Sequence, residues 1–171
     1  MYGLMRFSAL IALLLTGAIF GFFYAWVCST MWGLDNADPR VAIQAMQAMN
    51  QSVRNAVFAP AFFGTPIALS IAAALAWLGG RRLAMAFFAA SAIVYFCFGL
   101  VLTMMVNVPM NEVLGLAGPI VDQAVAAETW LAYSGKWQFW NQMRTIASGI
   151  ALLLCGAGML ALHKNCDVRT T

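Results

Sequence analysis

Four stretches of this chain carry no formal charge: Phe7 to Leu34, Asn55 to Gly80, Leu83 to Asn111, and Thr145 to His163. A helix needs ~20 apolar residues to cross the hydrocarbon core of a bilayer, and each stretch is long enough for one crossing. In lipid only helices and closed barrels satisfy the backbone, and barrel strands alternate polar and apolar residues, as these runs do not. Composition agrees: 63% of the 171 residues are hydrophobic and 9% charged, against ~25% charge in soluble domains. Nine basic and six acidic residues are too few to cover a water-soluble domain of this size. A disordered chain is excluded on the same grounds. The net charge of +3 is scattered and makes no phosphate-binding patch, so nucleic acid is not an expected partner. The expectation is an all-α membrane protein, one domain over residues 1–171, with a four-helix transmembrane bundle spanning about 7–32, 57–79, 83–106 and 138–163.

Arg6 ahead of the first run resembles the start of a signal peptide. That run exceeds the ~7–15 residues of a signal core and no small-x-small cleavage site follows, so the span is expected to be retained. Orientation follows from the basic residues. Arg6, Arg81, Arg82, Lys164 and Arg169 fall on one side, opposed by Asp167. The other side holds Arg40, Arg54, Lys136 and Arg144 against Asp35, Asp38, Glu112, Asp122 and Glu128. Short basic loops stay cytoplasmic, so the Gly79-Gly80-Arg81-Arg82 turn places both termini inside and the two long connections outside. The Ala-rich spans and short tails suit a bacterial inner membrane.

The outer connections have their own pattern. Asp38-Pro39 reads as an N-cap followed by proline at the first helical position. After it Ala42, Ala45, Met46, Met49 and Val53 share one face, and Arg40, Gln44, Gln47, Gln51 and Arg54 the other. This predicts an amphipathic helix over about 39–54; Pro119 to Ser134, closed by Gly135, predicts a second over about 119–134. Asn50-Gln51-Ser52-Val53-Arg54 and Asn141-Gln142-Met143-Arg144 precede spans two and four and hint at a short tandem repeat.

Metal and nucleophile signals are sparse. The one histidine, His163, ends span four, and a haem or di-iron site would need ligands this chain lacks. Cys28, Cys97, Cys155 and Cys166 form no Cys-x-x-Cys pair, so neither a disulfide framework nor a zinc site is indicated. Met31, Met104 and Met105 have the softness copper prefers, but clustered methionine is more often packing. Gly17 and Gly21 read as close helix contact. No metal and no cofactor is expected.

What remains is an asymmetry. Trp26, Trp32, Trp130, Trp137 and Trp140 lie in the outer half, with Trp77 alone inside. Asn36, Asn50, Asn55, Asn107, Asn111 and Asn141 gather on the same side, whereas an ordinary aromatic belt populates both interfaces. Asn50 falls on the apolar face of its helix, where an unpaired amide is costly. Pro109 frees a backbone acceptor, and the carboxamides of Asn107 and Asn111 flank the break. Trp137, Asn141 and Arg144 recur at i, i+4 and i+7 on one face. A guanidinium at membrane depth usually faces the bundle interior, with a carboxylate such as Glu112 or an asparagine carbonyl as partner. Pro60 and Pro66 bracket Phe62-Phe63-Gly64-Thr65 and predict a kink in span two. A polar, aromatic-walled pocket opening outward is the expectation.

These motifs resemble the anthrone-oxygenase-like family of small four-span membrane proteins. The matching stretches are Gly21-Phe22-Phe23-Tyr24-Ala25 with Met31, Asp38-Pro39-Arg40 through Met49-Asn50, and Arg54-Asn55. They continue with Phe62 to Pro66, Asn107 to Asn111, and Trp137 with Trp140-Asn141 and Arg144. The resemblance implies oxidation of an anthrone to an anthraquinone by molecular oxygen, without metal or flavin. An anthrone loses a proton to a modest base, and its electron-rich anion can itself reduce oxygen. The protein then needs aromatic walls, donors for the oxyanion and a proton acceptor. Arg144, Asn141, Asn107 and Asn111 are the candidate catalytic donors, and Glu112 and Tyr24 are alternative bases. Trp137, Trp140, Tyr24, Met31, Asn50, Asn55 and Phe63 are the candidate substrate contacts. The partners expected are the bilayer and a small aromatic or lipid-like molecule, and a homo-oligomer is compatible with the sequence. Non-catalytic binding of a lipid or quinone-like molecule, or a structural subunit, is the alternative.

Overall fold

The computed structural model describes residues 1–163. Lys164, Arg169, Asp167 and Cys166 therefore lie outside the described residues. Five helices follow one another: α1 (Tyr2–Asp35), α2 (Pro39–Ser52), α3 (Phe58–Leu78), α4 (Arg82–Leu116) and α5 (Gln123–His163). α1, α3, α4 and α5 are each long and apolar enough to cross a membrane. They close a ring in which α1 and α4 each pack on α3 and α5. Leu14, Ile67, Ile93, Leu153 and Leu160 point away from it, each more than half exposed. Contiguous apolar surface of this extent is not tolerated in water. It is the lipid-facing surface of an integral membrane protein.

The ring is filled in three layers. Near the α3–α4 turn the core is built from Met5, Ala9, Ala12, Leu69, Ala76, Phe88 and Cys155. Alanine here lets the backbones approach closely, as helix association in lipid requires. A Cβ added at Gly158 would lie 2.8–3.0 Å from the Phe88 ring, and one at Gly79 would lie 2.5 Å from Met5 Sδ. The turn itself is a Schellman motif: Arg81 N bonds Ala76 O, Gly80 N bonds Trp77 O, and Gly80 takes φ +72°. Midway lie Ile19, Phe23, Phe62, Tyr95 and Ala151. The far layer is aromatic, with Trp26, Trp130, Tyr133 and Trp137 packed on Met31 and Met46.

Proline chemistry explains one buried bond between α3 and α4. Pro66 lies inside α3 and has no N–H for the carbonyl four residues earlier, which belongs to Phe62. The Tyr95 hydroxyl donates to that carbonyl at 2.9 Å. Tyr95→Phe should destabilise the bundle by about 1 kcal/mol or more, the cost of an orphaned buried acceptor. In a Pro66→Ala background the restored amide satisfies Phe62, so the same deletion should cost less than half as much. Equal losses of thermal midpoint in both backgrounds would refute the pairing.

The amphipathic helix expected over 39–54 forms as α2. Its N-cap is built as the sequence indicates, with Asp38 Oδ1 accepting from Arg40 N at 2.9 Å. The same carboxylate takes Arg40 Nε at 3.0 Å and Nη2 at 2.7 Å. Those side-chain bonds, with the backbone one, pull the Asp38 carboxyl from 3.8 to about 2. Its folded value lies below its unfolded one, so its support of α2 is fully present above pH 3.8 and lost as the pH falls through about 2. Exchange protection of the Val41 and Ala42 amides, corrected for intrinsic rates, should fall over that window and should lose its pH dependence there in Asp38→Ala.

The second expected amphipathic helix, about 119–134, is corrected: from Gln123 it is the start of α5, which runs unbroken for 41 residues. Gly135 does not end it. A mid-helix glycine costs only about 1 kcal/mol, and Trp130, Tyr133 and Trp137 on either side share one buried face. The third span likewise extends past 106, to Leu116. Its helical register widens into π-helical turns at Tyr95–Val101 and Thr103–Asn107, just ahead of Pro109. α1 carries another such turn at Trp26–Thr30. π-helical turns occur often at functional sites, and those at Trp26–Thr30 and Thr103–Asn107 border one space.

Candidate functional site

That space is a cavity of about 610 Å³ at the base of the aromatic layer, within the range of small-molecule sites. α1 supplies Phe22, Phe23 and Trp26; α3 supplies Phe58, Ala59, Phe62 and Phe63. Met49, Asn50, Val53, Arg54 and Asn55, from the end of α2 and the turn after it, form another wall. α4 contributes Thr103, Met104, Val108, Asn111 and Glu112, and α5 contributes Trp137 and Arg144.

Arg144 is 5% exposed. Its Nε donates to Asn141 Oδ1 at 2.9 Å and its Nη1 to Thr103 Oγ1 at 3.3 Å. The guanidinium carbon lies 4.4 Å from the Phe23 ring centroid and 5.1 Å from that of Trp137. Among the described residues the ion pairs are Arg40–Asp38 and Arg54–Glu112, so no carboxylate neutralises Arg144. Of the two partners the sequence offered it, the asparagine carbonyl is the one in place. Glu112 instead meets Arg54, at 3.4 Å and with both side chains more than half exposed, a geometry worth little in water.

The remaining expected residues divide. Asn111 Oδ1 accepts from both the Tyr133 hydroxyl and Trp137 Nε1, each at 2.8 Å, which fixes the indole against the cavity. Asn50 lines the cavity; its Nδ2 is buried beside the Tyr133 hydroxyl without completing a hydrogen bond. Asn55 lines it too, but its carboxamide is occupied in capping α3, accepting from Val57 N and Phe58 N. Phe63 and Trp137 are wall residues. Asn141 stands behind Arg144, with its Nδ2 donating to Phe23 O at 3.2 Å. Asn107 is fully buried and neither of its amide atoms finds a partner among the described residues.

Asn107, Asn141, Tyr24, Met31 and Trp140 do not line the cavity. Tyr24 is 49% exposed and stacks on Phe20, because Ile19, Phe23 and Trp26 define the buried face of α1 and Tyr24 sits about 100° away from Phe23. Met31 is buried in the aromatic layer. Trp140 is half-buried, edge-on to Phe139.

Residues not among the expected substrate contacts include Phe22, Phe58 and Phe62, whose rings form a continuous wall with centroids 4.8 and 5.3 Å apart. Their i, i+4 spacing, with Trp26 one turn beyond Phe22, was a readable signal. Asp35 was also missed. It accepts from Trp130 Nε1 at 2.9 Å, Ser134 Oγ at 2.6 Å and Gln138 Nε2 at 2.8 Å, tying the end of α1 to α5 above the cavity. No periodicity announces such a contact between residues this distant in sequence.

No curated protein and no solved structure matches the chain. The sequence model of one family, described as anthrone oxygenase, matches residues 54–154. That is more than half of the chain, from the Arg54 wall through the α4 and α5 walls with Arg144. The chain belongs to the anthrone oxygenase family.

Proposed function

We propose that this protein is a membrane-embedded oxygenase that oxidises an anthrone-type or other phenolic polycyclic substrate with molecular oxygen, without metal or flavin. The observation that carries the reading is Arg144: a buried guanidinium, unpaired with any described carboxylate, facing an aromatic cavity. Burying a cation this way costs several kcal/mol, and such a cost is met where an anion is to be stabilised. A planar ring system stacks among Phe22, Phe58, Phe62 and Trp137, with its carbonyl oxygen toward Arg144. Loss of a proton from the ring carbon opposite leaves the negative charge on that oxygen, where Arg144 and its fixed dipoles stabilise it. The carbanion then bonds oxygen, and the resulting hydroperoxide loses water to give the quinone. One anthrone and one oxygen yield one anthraquinone and one water.

Glu112 is the base in this reading, since it lines the cavity whereas Tyr24 does not. The basic Arg81–Arg82 turn faces the cytoplasm with both termini, in a bacterial inner membrane, and the cavity opens outward. The test is oxygen uptake and quinone formation by the purified protein in lipid nanodiscs at neutral pH, with anthrone as substrate. Uptake above the empty-nanodisc rate, with one quinone per oxygen, is the expected result. A rate equal to that background would overturn the reading.

A further inference from the structure

We propose that the substrate carries an aliphatic tail, seated in a second cavity along the seam between α1 and α3; this rests on the reading of the Arg144 chamber above. The second cavity, about 450 Å³, is lined by Ala18, Ile19, Ser52, Val57 and Ala61 together with residues of the first. Phe22, Trp26, Met49, Val53, Asn55 and Phe58 line both, so the two spaces adjoin along shared residues.

Its polarity runs in one direction. Ser52 and Asn55 stand at the interfacial end, and no charged residue lines it. From Trp26 to Ala18 it follows α1 for roughly 12 Å at 1.5 Å per residue, down toward the middle of the span. Ala18, well inside the first span, is exposed on the outer surface of α1, so the groove opens there to the surroundings of the bundle. Lipid tails are as apolar as the groove, so the groove supplies room and direction for a tail that stays in hydrocarbon throughout. The small side chains of Ala18 and Ala61 are what keep that room, and neither lines the Arg144 chamber. They are therefore specificity-determining positions for tailed against tailless substrates.

The experiment is equilibrium binding under argon, in nanodiscs, of decyl-hydroquinone and methyl-hydroquinone, read by tryptophan fluorescence, for the native protein, Ala61→Phe and Ala18→Leu. Ile93→Phe, on the lipid-facing surface, controls for a change in exposed bulk. Because both compounds partition into the same lipid, the ratio of their affinities is compared between proteins. Ala61→Phe should lower the decyl-to-methyl ratio by roughly tenfold, the scale of forcing atoms into filled space. Ala18→Leu should lower it less, and Ile93→Phe should leave it at the native value. A ratio unchanged in Ala61→Phe and Ala18→Leu overturns the tail assignment, as it would if a phospholipid chain filled the groove, and leaves the oxygenase reading to its own uptake test. If neither compound binds the native protein, the chamber reading fails and the tail assignment falls with it.

Discussion

Replacing Arg144 with methionine should lower anthrone-dependent oxygen uptake by about 10²- to 10³-fold, the usual cost of removing one oxyanion donor, while leaving the thermal midpoint unchanged or raised. The two halves of this result together separate function from structure. The guanidinium is 5% exposed with no carboxylate partner among the described residues, so its desolvation is repaid only by Asn141, Thr103 and two ring faces. Methionine has comparable length, no charge and a sulfur suited to the gap between Phe23 and Trp137. Thr103 keeps its bond to Gly99 O and Asn141 its bond to Phe23 O. Replacing buried charge by apolar bulk is often neutral or stabilising, and a site residue is where stability and activity trade off. Arg144→Lys should recover only part of the activity, because an ammonium lacks the planar fork that Asn141 and Thr103 hold in place. A midpoint that collapses in step with activity would make Arg144 a structural strut and remove the main support for the site.

The sequence made the spans legible because charge cannot hide in hydrocarbon: Arg81 and Arg82 mark one turn, and the charge-free runs bracket all four crossings. Asp38-Pro39 was equally plain, since its capping bonds are local in sequence. The inward aim of Arg144 followed from its depth and its spacing to Trp137 and Asn141. Where local reading failed, the cause was a competing long-range contact. Gly135 looked like a helix stop, yet Trp130, Tyr133 and Trp137 pack continuously across it. Tyr24 and Phe23 are adjacent letters that face opposite environments, and only the helical phase set by Ile19 and Trp26 tells them apart. The π-helical turns in α1 and α4 shift that phase within a span, so a strict 3.6-residue count loses its register near the cavity. The suggested repeat likewise gives two different outcomes: Arg54 is exposed beside Glu112, whereas Arg144 is buried.

Glu112→Gln should lower turnover by about 10²- to 10⁴-fold, the range for a positioned general base, with little change in how tightly an aromatic ligand binds. Glutamine keeps the size and the capacity to meet Arg54 but cannot accept a proton. Glu112 and Arg54 are both more than half exposed, so losing their contact should barely alter stability; the activity change then reads the proton transfer alone. Residual turnover in the variant should climb with pH, as hydroxide takes over the abstraction. Arg54→Gln offers the complementary arm, since it releases the carboxylate without removing it, and should change the rate far less than Glu112→Gln does. If Glu112→Gln retains native turnover while Arg144→Met has lost it, the oxyanion site stands and the proton leaves by another route.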